Sequence, residues 1–545
     1  MSEKEVQYAK SFKEQFTLRG MIIGTIGAII ITTSSMYVAL KMGALPWPII
    51  FVALVSMFSL KICGHTNINE INVTHTAMSA GAMVAGGIAF TIPGIWMLDP
   101  DAVVSYLPLV IVSMSGVILG LIFTALIRKY FIEVKELPYP MGQAAAETLI
   151  IGDQGGKKSG LLFGSMGFAA LWTVIRDWFG KIPTLVTGGV AIPGVTFGLY
   201  MSPMMLSVGY LVGPLFLTVW FIGALIGDIG IVFGGTELGF WDLTTASGIK
   251  SSLGMGVMVG TGIGILVKGI LPQAKAIFGP MFSKKRMSEG IINLRWAPFV
   301  MVILAFVFTF ALDMGIIASI ITILGVWIAT SMSAQIVGQS GINPMEVFGV
   351  IVLLAAKVAS NIGQTEAFFV AAIVAVACGL VGDVMNDFKT GYIVKSNPKA
   401  QWLGEVIGGL VGSVVSIGIL FILIKAYGVS AFGGTELPAP QAGVVAAMVG
   451  GIPNLPAFWI GLVAGVILYV VGLPVMTLGL GIYLPFYMSF TAFLGGMLKL
   501  IFDKAKPQWS DNGTGLIVAS GLLGGEAVVG VIIALIQVVM GMGTL

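Results

Sequence analysis

Residues 106–126 read YLPLVIVSMSGVILGLIFTAL, a run of 21 residues that contains no charged side chain. An α-helix rises 1.5 Å per residue, so a helix of this length can cross the roughly 30 Å hydrocarbon core of a bilayer. Comparable apolar runs recur along the chain, for example at residues 300–329 and 515–539. The pattern predicts an all-α, polytopic membrane protein.

The composition excludes a soluble protein. Hydrophobic residues make up 57% of the 545 residues and charged residues only 10%, and the mean hydropathy is +1.00. Soluble domains carry about 25% charged residues, so this chain lacks the polar surface to cover them. The net charge of +3 comes without a basic patch that alternates with exposed aromatic residues, so no nucleic-acid partner is expected. The lipid bilayer is the first expected partner.

Paired motifs indicate that the chain consists of two similar halves. NVTHT (residues 72–76) resembles NIGQT (361–365), and ELPYP (136–140) resembles ELPAP (436–440), at offsets of roughly 300 residues. We predict an N-terminal arm at 1–18, a first transmembrane repeat at 19–272, a basic linker at 273–296 and a second repeat at 297–545. Each repeat would hold about eight membrane segments, about sixteen in all, and internal duplication of this kind is common among secondary transporters.

Basic loops predict the orientation, because lysine and arginine are concentrated on the cytoplasmic side of a membrane. The arm, the linker and residues 389–399 and 499–506 are rich in these residues, whereas 98–101 is acidic without a basic neighbour. The arm and the linker should therefore be cytoplasmic, in a multi-pass plasma-membrane protein.

The densest polar group lies at residues 64–81. A charge inside a membrane costs a few kcal/mol and is a functional candidate by default. We predict Asn69, Glu70, Asn72 and His75 as substrate-binding residues, because amides, a carboxylate and an imidazole can hold the polar groups of a peptide-like ligand. Glu70 and His75 are also candidates for proton coupling. The alternative, strongest at the start of the segment, is an extramembrane loop.

Polar residues interrupt three further apolar stretches. Gln364 and Glu366 belong to the repeat mate of the first group and are predicted to bind substrate. Asp383 and Asp387 share a helical face, and Asp383 is a proton-coupling candidate, with a solvated helix end as the alternative. Glu526 stands alone in its apolar run and is another such candidate, with a hydrogen bond to a neighbouring helix as the alternative.

The two proline motifs predict broken or re-entrant helices. Proline removes a backbone donor, and the residue before it disfavours the helical region. Pro138 and Pro140 in the first motif, and Pro438 and Pro440 in the second, are therefore expected to break helices or to take part in gating. A helix that starts at such a break would favour a ligand carboxylate at its N-terminus. The alternative is that these prolines only interrupt helices and contact no ligand.

Longer motifs in this chain resemble the oligopeptide transporter (OPT) family, which includes the yellow stripe-like metal–chelate carriers. These are INEINVTHTAMSAG, ELPYPMGQAAAE, GDVMNDFKTGYIV, GIYLPFYMSFTAFLGG and GLIVASGLLGGEAVVG, and they span nearly the whole chain in order. The resemblance, closest to a prokaryotic member, implies a proton-coupled symporter that imports small peptides or peptide-like metal chelates. Ile71 and His75 depart from the family pattern E-N-N-x-x-Q-T, which leaves the proton acceptor and the substrate preference open.

Two other functions remain as alternatives. Asp383 and Asp387 have the D-x-x-x-D spacing with which membrane prenyltransferases hold Mg²⁺–diphosphate, but the segment around Asp228 and Asp242 does not supply the second aspartate-rich motif. A channel is the other alternative. We predict a non-enzyme without cofactor or resident metal, whose partners are the substrate, protons and the bilayer, and for which a homodimer stays open.

Overall fold

The structure is a computed structural model that describes residues 7–43, 45, 49–152, 157–189, 191–265, 267–268, 271–273, 291, 294–340, 343, 345–434 and 436–540. Most of the predicted linker at 273–296 lies outside these residues. Within them, the only β-structure longer than a single bridge is an antiparallel pair, Leu185–Val186 with Leu199–Tyr200, in which Leu185 faces Tyr200.

Helices make up nearly all of the described secondary structure. In chain order they are α1 (Phe12–Gln15), α2 (Leu18–Met42), α3 (Ile49–Ile62), α4 (Ile68–Ala89), α5 (Gly94–Leu98), α6 (Tyr106–Arg128), α7 (Pro140–Gly152), α8 (Lys157–Thr173), α9 (Pro203–Val212), α10 (Pro214–Ala224), α11 (Gly235–Glu237), α12 (Leu243–Ile265), α13 (Ala297–Phe310), α14 (Gly315–Ser340), α15 (Met345–Ala359), α16 (Gln364–Ile393), α17 (Pro398–Tyr427), α18 (Pro440–Gly450), α19 (Leu455–Val471), α20 (Val475–Tyr483), α21 (Phe486–Ala505), α22 (Pro507–Asp511) and α23 (Thr514–Val539). Wider π-helical turns extend α6, α8 and α10 at Lys129–Val134, Val174–Trp178 and Leu225–Gly234.

Eight stretches of the described chain are long and apolar enough to cross a membrane. They are Phe12–Lys41, Ile68–Leu98, Tyr106–Val134, Pro214–Glu237, Gly315–Gly338, Gln364–Ile393, Pro398–Tyr427 and Phe486–Ala505. A ninth results if α18 and α19, which flank a break at residues 451–454, are counted as one span. The predicted all-α, polytopic membrane fold is confirmed. The predicted total of about sixteen segments exceeds these eight or nine, and shorter apolar helices such as α9 and α13 lie outside them.

The chain folds into two compact units. The first unit comprises Met1–Ser159, Pro272–Gly450 and Ala534–Leu545, and the second comprises Gly160–Leu271 and Gly451–Ile533. Each unit takes segments from both predicted repeats, so the compact units and the sequence repeats are different divisions of the chain. The predicted repeat boundaries stay a prediction.

Helices α4 and α16 form the centre of the first unit. All 22 residues of α4 are buried, and α16 is buried from Ala367 to Gly391. Helix α4 packs against α2, α16 and α17, while α16 also packs against α6, α14 and α15. Polar residues within these buried stretches therefore face other helices rather than solvent or lipid.

A row of glycines brings α17 against α4. Gly404, Gly408 and Gly412 recur every four residues and so lie on one helical face. A Cβ atom on Gly412 would stand 2.5 Å from the Cα of Gly81, and one on Gly408 would overlap the carbonyl oxygen of Ala77. Small residues let helix backbones approach this closely in membrane proteins. Glu405 lies between the first two of these glycines.

The two Leu-Pro-x-Pro motifs share an unusual backbone angle. The residue between the prolines has a positive φ in both, 45° at Tyr139 and 40° at Ala439. The amide of Tyr139 donates to the carbonyl of Gly338 at the end of α14, and the amide of Ala439 donates to Leu40 at the end of α2, each at 2.8 Å. Each motif thus binds a helix end from the other predicted repeat, which agrees with an internal duplication.

The second unit uses the same kind of glycine packing. Helix α12 lies against α19, where Cβ atoms on Gly256 and Gly461 would overlap backbone oxygens of the facing helix. A stack of aromatic rings between α10 and α21 includes Phe221 and Phe493, whose centroids lie 4.5 Å apart. This unit is therefore also held together by close helix packing.

Candidate functional site

Three buried carboxylates lie together in the first unit. Asp383 and Asp387 are four residues apart on α16, so both point to the same side of the helix, and Glu405 reaches them from α17. One side-chain oxygen from each lies within 4.8 Å of the other two, and the exposed fractions of the three residues are 1%, 0% and 0%. We call these three residues the acid cluster.

Helix α4 supplies an imidazole and a hydroxyl to the acid cluster. Nδ1 of His75 lies 3.8 Å from Oδ1 of Asp387, and Oγ of Ser79 donates a hydrogen bond of 2.7 Å to Oδ2 of Asp387. His75 and Ser79 are four residues apart, so one face of α4 carries both. From α17, Nε2 of Gln401 donates to the backbone oxygen of Asp387 at 2.7 Å.

Many polar atoms of this site have no hydrogen-bond partner among the described residues. They include both ring nitrogens of His75, both carboxylate oxygens of Glu405, one oxygen of each aspartate and Oε1 of Gln401. Within the described chain, no lysine or arginine forms an ion pair with the acid cluster. Leaving buried charges unpaired is costly, so buried carboxylates of this kind are either neutral or paired with a cation.

The motif around the two aspartates also holds the first proline loop in place. Oδ1 of Asn386 accepts a hydrogen bond of 3.0 Å from the amide of Gly142, near the N-terminus of α7, and Thr390 donates to the Gly142 carbonyl at 2.9 Å. One helical motif thus presents carboxylates to α4 and α17 and fixes the start of α7.

Both proline motifs lie where helices begin. Pro140 is the first residue of α7 and Pro440 the first of α18, while Pro138 and Pro438 come just before the residues with positive φ. At α7, Asn386 already accepts a hydrogen bond from the first turn, which leaves less of this N-terminus for a ligand carboxylate.

Glu70 is paired rather than free. Its carboxylate forms an ion pair with Arg19 at 2.7 Å and accepts hydrogen bonds from Thr17 and Thr66, each also at 2.7 Å. Asn67 caps α4, and Glu70 lies in its first turn. Glu70 therefore ties the N-terminal end of α2 to that of α4.

Asn69 and Asn72 connect α4 to the chain that follows α16. The side-chain Nδ2 of Asn69 donates to the Val394 carbonyl at 2.9 Å and to Ser396 Oγ at 3.1 Å, and Nδ2 of Asn72 donates to Ser396 Oγ at 3.0 Å. Oδ1 of Asn72 remains without a partner in the described structure.

Gln364 and Glu366 lie far from His75. They occupy the first turn of α16, where Gln364 is exposed and Glu366 half-buried. Asp387 comes 21 residues after Glu366, which is roughly 30 Å along the helix at 1.5 Å per residue. The structure does not bring the two predicted substrate-binding groups together.

Glu526 has a cationic partner in the second unit. Arg176 lies 2.9 Å from Oε1 of Glu526, which also accepts from Ser202 Oγ at 2.9 Å, while Oε2 accepts from the Met204 amide at 2.8 Å. Glu526 thus neutralises an arginine and binds the first turn of α9, a stabilising arrangement for a buried charge.

Sequence reasoning missed Glu405 and Gln401. Both lie in an apolar segment with helical spacing, and the argument used for Glu526, that a lone carboxylate in a membrane helix is a candidate, applies equally to Glu405. The signal was present, but the partners were not visible, because α4, α16 and α17 meet only in the folded chain.

The fold and the buried site define a polytopic helical membrane protein with a buried cluster of carboxylates. The family model described as "OPT oligopeptide transporter protein" matches residues 15–271 and 280–537. The chain belongs to the OPT family of membrane transporters.

Individual relatives agree with this assignment. The chain is 26% identical to a putative oligopeptide transporter of Haemophilus influenzae, and the alignment covers 92% of each protein. Shorter segments match two probable metal-nicotianamine transporters: YSL12 of Oryza sativa subsp. japonica, 36% identical over 12% of this chain and 10% of the relative, and YSL5 of Arabidopsis thaliana, 38% identical over 13% and 11%. These relatives are described as transporters, which points away from an enzyme.

Proposed function

We propose that this protein is a secondary transporter that imports small oligopeptides or peptide-like metal chelates into the cytoplasm by alternating access. The observation that carries the proposal is the acid cluster, a buried group of carboxylates without a cationic side-chain partner among the described residues. Ionisable groups inside a membrane protein mark ion and substrate pathways by default. The names of the relatives supply the two substrate classes.

The proposed coupling ion is the proton. Of the four candidates, Glu70 and Glu526 are paired with arginines, whereas His75 and Asp383 belong to the site that lacks such a pair. Asp387, Glu405 and the neutral donors Ser79 and Gln401 face the same space. Protons that bind there would remove the cost of like charges close together.

For the substrate, we keep the predicted contacts of α4 and α16 as a proposal. The group around His75 and the group around Gln364 are separated by roughly 30 Å along α16. A small peptide cannot contact both at once, so the two groups would serve different stages of transport. The paired proline loops are the proposed gating elements, because each links the two predicted repeats.

The proposal also covers the membrane location, orientation and oligomeric state of the protein. Loop charges favour a plasma-membrane location with the N-terminus on the cytoplasmic side. A homodimer is the oligomeric state to test, and light scattering of the purified protein would decide it.

Uptake into proteoliposomes tests the proposal. Labelled peptide or ferric chelate should accumulate when the outside is acidic, and an uncoupler should abolish the accumulation. Asp383→Asn should abolish it too, whereas Glu346→Gln, a change at another buried carboxylate on α15, should not. Uptake that ignores the proton gradient would reject symport, non-saturable flux would favour a channel, and Mg²⁺-dependent diphosphate release would favour the prenyltransferase alternative.

A further inference from the structure

We propose that the acid cluster and His75 bind a bare divalent transition-metal ion. This site differs from any site for a chelated metal substrate, because its ligands are all supplied by the protein. The inference rests on the geometry of the cluster and does not depend on the transport proposal.

The distances suit a single ion. Metal–oxygen bonds measure about 2.0 to 2.5 Å, so oxygens on opposite sides of one cation lie about 4 to 5 Å apart. One side-chain oxygen from each of Asp383, Asp387 and Glu405 lies within 4.8 Å of the other two. These three oxygens are therefore close enough to contact the same ion.

A second observation points to the same ligand. The imidazole of His75 is fully buried, stands 3.8 Å from Asp387 through Nδ1, and has no hydrogen-bond partner for either nitrogen among the described residues. A neutral imidazole nitrogen is a metal donor, and Oε1 of Gln401 is another buried oxygen without a partner. The acid cluster thus lies beside two further side chains, His75 and Gln401, with metal-binding atoms that make no hydrogen bond within the described chain.

The donor set selects the kind of metal. Carboxylates alone suit Mg²⁺, Ca²⁺ and Mn²⁺, whereas an imidazole adds preference for Zn²⁺, Fe²⁺ and similar ions. Charge balance agrees, because a divalent ion and one proton neutralise three carboxylates, whereas otherwise three protons are needed. The site should therefore prefer Zn²⁺ and Fe²⁺ over Mg²⁺ and Ca²⁺, and Mn²⁺ should also bind because carboxylates suit it.

The experiment is a metal titration of the purified full-length protein after chelator treatment. Zn²⁺ and Mn²⁺ binding would be measured calorimetrically, and bound Mn²⁺ also by electron paramagnetic resonance. We expect one saturable site per chain that Mg²⁺ and Ca²⁺ fill only weakly. Removing a residue that merely orients a ligand costs about tenfold to a hundredfold in affinity, so Asp383→Asn, Glu405→Gln and His75→Gln should each weaken binding at least about tenfold.

Glu346→Gln is the matched control, a buried carboxylate on α15 that should leave metal affinity unchanged. A thermal melt without metal shows that each variant is folded. Absence of saturable binding, unchanged affinity in all three cluster variants, or equal affinity for Ca²⁺ and Zn²⁺ would each overturn the proposal. If the protein shows proton-driven uptake but binds no metal, the proposed function stands and the metal site is rejected. If it binds metal but shows no proton-driven uptake, the metal site stands and the proposed function is rejected.

Discussion

Nδ1 of His75 and Oδ1 of Asp387 lie 3.8 Å apart on neighbouring helices, and both side chains are completely buried. The pair joins α4 to α16, whose polar residues come from parts of the chain about 300 residues apart. Among the described residues, three of the seven buried carboxylates have arginine or lysine partners, namely Glu70, Glu526 and Asp228. The three residues of the acid cluster have no such partner in the described chain.

Two glutamate substitutions should have opposite effects on stability. Glu526→Gln removes one of the two carboxylates that pair with the buried Arg176, the other being Asp177, and should destabilise the protein by up to about 3 to 5 kcal/mol, the usual cost of breaking a buried ion pair. Glu405→Gln removes one of three close carboxylates and should leave the metal-free protein equally or more stable. Thermal melts of the two variants in chelator would check this, and a large loss of stability in Glu405→Gln would contradict it.

The row of Gly404, Gly408 and Gly412 at the contact of α17 with α4, here called the glycine seam, should not tolerate an added methyl group. Gly408→Ala places a Cβ against the carbonyl of Ala77 and should cost about 1 to 3 kcal/mol, because the helices must move apart. Gly418→Ala is the matched control on the same helix, since its nearest neighbour, the Tyr106 hydroxyl, would be 3.9 Å away.

Melting temperature and metal affinity would be measured for both glycine variants. Because the seam positions Glu405, Gly408→Ala should also weaken Zn²⁺ binding, while Gly418→Ala should not. A seam that tolerates alanine at Gly408 would mean that helix spacing does not determine the geometry of the acid cluster.

Replacing Ala439 in the second Leu-Pro-x-Pro motif by glycine should relieve backbone strain. Ala439 has a φ of 40°, a region that costs an L-residue about 1 to 2 kcal/mol, so Ala439→Gly should be neutral or stabilising. Ala442→Gly in the following turn of α18 should instead destabilise by about 1 kcal/mol, since glycine is unfavourable inside a helix. Chemical unfolding of both variants tests the contrast, which fails if both shift the same way.

A double-mutant cycle would separate the structural role of Glu70 from a role in coupling. Arg19→Gln and Glu70→Gln should each destabilise the protein, and the double variant should lose less than the sum, because the two groups bind each other. If Glu70 only joins α2 to α4, uptake by folded Glu70→Gln should keep its dependence on the proton gradient. Gradient-independent uptake in this variant would restore Glu70 as a coupling residue.

The sequence allowed the fold class, the paired motifs and the helix breaks to be predicted, because these depend on local composition. Asp383 and His75 were also identified, since a polar residue in an apolar run is visible in one dimension. The ion-pair partners of the buried carboxylates could not be predicted from the sequence. Arg19, which binds Glu70, lies 51 residues earlier in the chain, and Arg176 is more distant still from Glu526.

Glu405 shows why the rest could not be predicted. Its role depends on glycines that allow α17 to approach α4, and the contact between those helices follows from three-dimensional packing. Gln364 and Glu366 illustrate the reverse case. Their motif resembles that around His75, yet they lie at the opposite end of α16 from Asp387.

The amides of Tyr139 and Ala439 each donate to a carbonyl in the opposite half of the sequence. Such a mutual exchange is the arrangement found in domain-swapped dimers, here within one polypeptide. If the chain were cut in the basic linker, each fragment would lack the carbonyl that accepts the hydrogen bond from the backbone amide of its Leu-Pro-x-Pro motif. The two fragments should therefore have to be produced together in the same cell to fold, and neither should accumulate alone.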